Sequence, residues 1–276
     1  THRRRDRRGG DAMTGDGAIR ARRAGTFADL RSISGRALRA IPRDPEQFIP
    51  AMIVPLFFFV VNVGALQNVA ERSGSVPDFK AFQLPVAILF AVTGVSRASA
   101  LVYDIQDGYF DRLLMTPVRR VTLLLGLLTA DFALVTALCI PVLILGAVIG
   151  VEFATGVVGV LLFLLLAGCW GIAFNGFTYA IALKTGSPAA VNSSFILFFP
   201  FAFLTTSFLP KEALTGWLAT IASYNPVTYM LGGLRAILSD GWRWSTIGEA
   251  FGAVFIVGTI SMTLSLLALR SRVKRG

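Results

Sequence analysis

Six apolar runs, each about as long as a bilayer is thick, constrain this chain more than any motif does. A spanning helix needs roughly 20 mostly apolar residues. The runs lie at about 48–66, 82–103, 121–147, 156–183, 191–208 and 246–269. The first and fifth are near the lower limit of about 17 residues, and the third and fourth are long enough to tilt. Composition agrees: 15% of residues are charged, against about 25% in a soluble domain. In hydrocarbon every backbone polar group must be paired within its own segment, so the expected fold is an all-α membrane protein with six transmembrane helices.

The net charge of +10 would suggest nucleic acid if it formed one patch. Instead, twelve of the 26 Lys and Arg precede residue 50 and four fall in the last seven. With six spans the two tails share a side with the loops at 104–120 and 184–190, and together these hold 20 basic residues. The other side holds Arg72, Lys80, Lys211, Arg235 and Arg243, while Arg97 lies inside the second run. This positive-inside bias predicts a multi-pass protein with both termini cytoplasmic. Trp242 and Trp244 suit an outer aromatic belt, and Tyr103 and Tyr179 an inner one. The wealth of Ala, Arg and Gly points to a GC-rich bacterium, hence to a bacterial plasma membrane. No nucleic-acid partner is expected; membrane lipid is.

Residues 1–24 have almost nothing to bury and are expected to be a disordered basic tail. No apolar core follows their arginines, so they do not match a signal peptide, and Met13 is a candidate start. Residues 25–47 place Phe27, Leu30, Ile33, Ala37, Leu38 and Ile41 at helical spacing. They read as an interfacial amphipathic helix or as a basic juxtamembrane linker. The six-span domain covers 48–270, and 271–276 is a basic cytoplasmic tail. Cys139 and Cys169 read as small hydrophobes. One His, no His/Cys/Asp cluster and no G-x-S-x-G argue against a metal site or a catalytic triad, so no cofactor and no enzyme are expected in this chain.

A charge inside a span is costly and functional by default. Asp131, about a third of the way along the third run, either meets a cationic substrate or pairs with Arg97, the pair being preferred. Asn62, Asn175 and Asn192 suit interhelical hydrogen bonds. In FILFFPFAFL, Phe195, Phe198 and Phe199 form packing or lipid-facing surface, or line a path for a hydrophobic substrate.

Residues 104–120, DIQDGYFDRLLMTPVRR, separate two apolar runs with a short helical pattern. Asp104 or Asp107 can cap its start. Tyr109, Phe110, Leu113 and Leu114 form an apolar stripe, and Thr116-Pro117 ends it. The stripe lies against the membrane or the chain's own spans, or it enters a groove on a cytosolic partner. Residues 205–238 are too apolar for an ordinary outer loop and break at Asn225-Pro226 into two short helices. They are expected to form a re-entrant pair on the outer side, either a gate or a lid.

These two blocks carry a resemblance. D-x-x-x-G-x-x-x-x-L-x-x-T-P-V-x-R after a second span, and F-x-P, a Trp, N-P-V-T-Y and an Arg-Ala pair before the last, resemble ABC-2-type exporter permeases of the daunorubicin-resistance kind. Leu127 departs from the pattern, standing where such proteins often carry Arg or Lys. The resemblance implies an exporter subunit for amphipathic drugs, metabolites or lipids, paired with a second permease copy or paralogue. It implies docking of an ATP-binding subunit at Asp107, Gly108, Phe110, Asp111, Leu113, Leu114, Thr116, Pro117 and Arg119. It also favours an outer gate with Phe208, Pro210, Trp217, Asn225, Pro226, Tyr229 and Arg235, while the residues themselves make Asp131, Asn62, Phe195, Phe198 and Phe199 the candidate substrate path. No G-x-x-x-x-G-K-[ST] occurs, so ATP and Mg are expected on the partner. The alternatives are a polysaccharide or glycolipid exporter permease, or a channel or scaffold that is not coupled to ATP.

Overall fold

The structure, a computed structural model, describes residues 45–74, 76–93, 95–114 and 120–273. The basic tail, most of the interfacial segment, Thr116, Pro117 and Arg119 lie outside the described residues. Among those described there is helix and no strand. In order these are α1 (Pro45–Arg72), α2 (Phe79–Thr93), α3 (Ala98–Gln106), α4 (Tyr109–Leu114), α5 (Arg120–Val148) and α6 (Gly156–Thr185). Then come α7 (Pro188–Ser193), a 3-10 turn (Ser194–Leu197), α8 (Phe198–Phe203), α9 (Gly216–Tyr224), α10 (Pro226–Arg235), a π turn (Ala236–Asp240) and α11 (Trp244–Val273).

Five segments are long and apolar enough to cross a membrane: α1, α2 with α3, α5, α6 and α11. Where the fifth run was expected over 191–208, the apolar helical segment is shorter, Pro188–Phe203, and changes helix type in the middle. Its start is set locally and its end by a distant residue. Gly186 ends α6 in the left-handed region (φ 61), and Ser187 caps Pro188 at the next start by accepting from Ala190 N. At the far end Asn225 Nδ2 takes the carbonyls of Phe201 and Leu204, at 2.7 and 2.8 Å.

The elements alternate between two ends of the bundle. Ile105, Phe110, Leu124, Leu183 and Leu269 share one apolar cluster, which gathers α3, α4 and the near ends of α5, α6 and α11. Gln106 Nε2 donates to Gly186 O there (3.1 Å), so 104–114 and 184–190 meet as the spans require. At the other end Lys80 Nζ reaches Ile149 O (3.2 Å), and Ala154 N reaches Leu238 O (2.8 Å). Trp242 and Trp244 stack there, 5.3 Å apart.

α6 is the central post and packs most extensively on α11. Small residues permit the approach. A Cβ on Gly176 would lie 2.7 Å from Ser261 Cβ, and Ser261 and Ser265 donate to the carbonyls of Ala173 and Gly176, both at 2.5 Å. α2 is almost wholly buried, whereas Ile53, Val54, Phe57 and Val60 leave α1 largely exposed.

Candidate functional site

The expected second run breaks at residues 95–97, and the break is a polar node. Its freed backbone groups are taken by side chains from three directions. Asn175 Nδ2 donates to Val95 O (3.0 Å), Arg97 N donates to Asp131 Oδ1 (3.1 Å), and Ala98 N donates to Ser96 Oγ (3.1 Å). Ser96 Oγ and Asn175 Nδ2 also donate to Asp131 Oδ2, at 3.2 and 2.9 Å. The fully buried carboxylate thus sits at the amino end of α3, where the helix dipole and free N–H groups favour negative charge. The preferred Asp131–Arg97 ion pair is corrected to a backbone contact: Arg97 supplies its N–H, and its guanidinium makes no salt bridge to Asp131. One layer outward, Trp170 Nε1 donates to Thr93 Oγ1 (3.2 Å).

α3 leads from this node to the 104–120 segment. Its nine residues span about 13 Å at 1.5 Å per residue. Neither acid caps α4 in the way expected: Asp104 lies inside α3, and Asp107 is its C-cap. Gly108 then turns the chain with φ +69, a conformation a side chain would strain. Tyr109 and Arg112 are exposed, while Phe110 is 2% exposed, within the chain's own cluster. Phe110 therefore seats α4 on the bundle rather than facing outward. Asp111, Leu113 and Leu114 lie in α4, but their side chains are outside the described residues.

At the other end, the expected break at Asn225-Pro226 separates α9 from α10. Asn225 Oδ1 accepts from Val227 N (3.0 Å), capping α10, and Pro226 occupies the first turn, where no donor is lost. Tyr229 Oη donates to Ser223 O (2.8 Å), clasping the two helices. Arg235 donates to Phe82 O (3.2 Å), Thr206 Oγ1 (3.2 Å) and Thr206 O (2.8 Å), and its guanidinium carbon lies 3.5 Å above the Phe82 ring. Phe208 packs between Phe58 and Phe203. Pro210 only precedes a 3-10 turn at Lys211–Ala213, and Trp217 is exposed.

The expected path residues divide. Phe198 is buried against Phe90 and Phe174, while Phe199 is partly exposed and stacks on Phe203. Phe195 lines a polar crevice of about 190 Å³ with Thr93, Ser96, Ser99 and Asn192. Asn62 is corrected from an interhelical bond to one within its own helix, to Phe58 O (2.8 Å). Asn192 does bridge helices, accepting from Ser99 Oγ (3.2 Å).

The sequence model for ABC-2 type transporters matches residues 28–239, spanning the node, the α4 segment and the Asn225 break. The chain belongs to the ABC-2 type transporter family. Among its relatives is the daunorubicin resistance ABC transporter permease protein DrrB1 of Streptomyces coeruleorubidus. It is 25% identical over 240 residues, covering 83% of each chain. The probable doxorubicin resistance ABC transporter permease protein DrrC of Mycobacterium tuberculosis is 24% identical over 209 residues, covering 75% of this chain and 76% of its own. The putative transport permease ycf38 of Cyanophora paradoxa is 24% identical over 242 residues, covering 83% and 80%.

In this ABC-2 type chain, sequence reasoning missed Ser96 and Thr155, whose Oγ1 donates to Ile237 O (2.6 Å) and fastens the π turn. Thr155 carries only the signal of a hydroxyl beside a run boundary, and Ser96 that of a hydroxyl inside an apolar run.

Proposed function

We propose that this chain is the membrane subunit of an ATP-driven exporter for amphipathic drugs, metabolites or lipids. The single observation that carries the reading is the mechanical line from α4 through α3 to the Asp131 node. α4 is seated by Phe110, so displacement of α4 moves α3, and α3 ends at a break whose backbone groups are already satisfied by side chains. Such a break can pivot without exposing unpaired N–H groups to hydrocarbon. The polar crevice lined by Ser96 and Ser99 lies directly beside it. The relatives named as resistance permeases support both the export role and this class of cargo.

The driver is a separate ATP-binding subunit that holds ATP and Mg and docks on α4 and the segment beyond it, through Leu113 and Leu114. Six crossings, with Pro188–Phe203 as the fifth, place both termini in the cytoplasm. α9 and α10 form a re-entrant outer gate. In support, Pro226 and Val227 line one crevice with Trp170 and Val257, near the midpoints of α6 and α11. Asn225 and Arg235 hold that gate to residues 201–206. The exposed face of α1 suits a second permease copy or lipid.

The test is ATPase activity of the complex in lipid with Leu113→Asp plus Leu114→Asp. Two carboxylates on a buried docking stripe weaken it by several kcal/mol. A folded chain that loses its ATPase subunit and its substrate-stimulated turnover is the expected result. A complex that assembles and turns over unchanged refutes docking at this stripe.

A further inference from the structure

Two crevices meet at one thin wall. The larger, about 350 Å³, lies between α6, α8, α10 and α11, with Trp170, Phe174, Phe177, Phe201, Val257 and Ile260 around it. That volume is at the lower end of the roughly 300–1,000 Å³ of small-molecule sites. The smaller, about 190 Å³, carries the hydroxyls of Thr93, Ser96 and Ser99 and the amide of Asn192. Phe174, Thr178 and Ser194 line both.

The wall is weak. Its polar contact is Ser194 Oγ to Thr178 Oγ1 at 3.4 Å, at the limit of a hydrogen bond, while Ser194 Oγ donates to Val191 O at 2.5 Å. Ser194 also opens the 3-10 turn in the middle of the Pro188–Phe203 segment, and a 3-10 stretch inside a helix often marks a hinge.

The linings restrict the occupant. Among the described residues, neither crevice is lined by a charged side chain. The larger offers water almost no partners, so it favours an apolar group over water. The smaller offers only uncharged donors and acceptors, which leave an ionic head group unpaired. We propose that the two crevices form one lateral entry site for an amphipath: its apolar tail lies against Trp170 and Val257, and its uncharged, hydrogen-bonding head crosses the Ser194–Thr178 wall to Ser99 and Asn192. That the bound amphipath is cargo rests on the exporter reading; the binding does not.

Trp170 makes the site readable. In the full-length chain with Trp217, Trp242 and Trp244 changed to Phe, Trp170 is the single fluorophore, held in phosphatidylcholine nanodiscs without ATP or partner. Brominated dodecyl maltoside should quench it saturably, and unbrominated dodecyl maltoside should reverse the quenching. Asn192→Leu, at an exposed position, should raise the half-saturating maltoside concentration at least tenfold and leave quenching by bromododecane unchanged. Val257→Phe, which fills the larger crevice, should abolish both. Equal quenching by brominated phosphatidylcholine would mean that ordinary lipid fills the crevice, and would overturn the proposal. So would quenching that rises without saturation, or an Asn192→Leu curve that does not move. Saturable binding in a chain whose complex shows no stimulated ATPase would refute the exporter reading and leave the site standing.

Discussion

At Asp131 three donors from two other segments converge on one buried carboxylate: Ser96 Oγ, Arg97 N–H and Asn175 Nδ2. Truncation removes the acceptor of the Arg97 N–H and one acceptor each of Ser96 Oγ and Asn175 Nδ2, away from water. One interhelical hydrogen bond in a membrane averages about 0.6 kcal/mol, but losing three at one buried acceptor costs more, about 2–3 kcal/mol together. Asp131→Ala should therefore lower the denaturation midpoint well beyond a single-bond loss. Asp131→Asn should fall between, because its Oδ1 still accepts from Arg97 while its amide meets that of Asn175. A midpoint unchanged in both variants refutes the node as a structural cap. That a charge here is used was legible from its cost in an apolar run. What uses it was not, since its partners lie 34 to 44 residues away.

At the scale of elements, helix contact depends on where small residues fall. α6 and α11 are nearly uniform apolar cylinders, so their composition names no packing face. The face is set by Gly176, whose missing Cβ admits Ser261. Gly176→Ala should separate the pair and cost about 1–3 kcal/mol, as overpacking usually does. Gly252→Ala, in α11 with nothing within 4 Å of its added Cβ, should be neutral or slightly stabilising through helix propensity. Equal melting shifts for the two variants would refute this account. Element boundaries follow the same logic. The Asn225-Pro226 break was readable because Pro and an Asx cap act locally. The end of the fifth apolar segment was not, because the amide of Asn225, about 20 residues on, stops it.

For the whole molecule, the alternation of ends gives a topological expectation. Asp107 and Ser239 are exposed at opposite ends of the bundle. In a Cys169→Ala background, Asp107→Cys and Ser239→Cys should react with an impermeant thiol reagent from opposite faces of sealed vesicles. Labelling from the same face refutes the six-crossing arrangement. The sequence by itself determined the all-helical membrane class, the approximate extents of five spanning segments and the break at Asn225, because hydropathy, charge asymmetry and proline chemistry are local. Only the tertiary structure decided that the second run is interrupted at 95–97, that Phe110 faces the bundle, that Arg235 reaches Phe82 and Thr206, and that two crevices share the Ser194 wall. Each of these depends on which distant carbonyl or ring fills a buried group's unmet valence, and that is settled only when the helices pack.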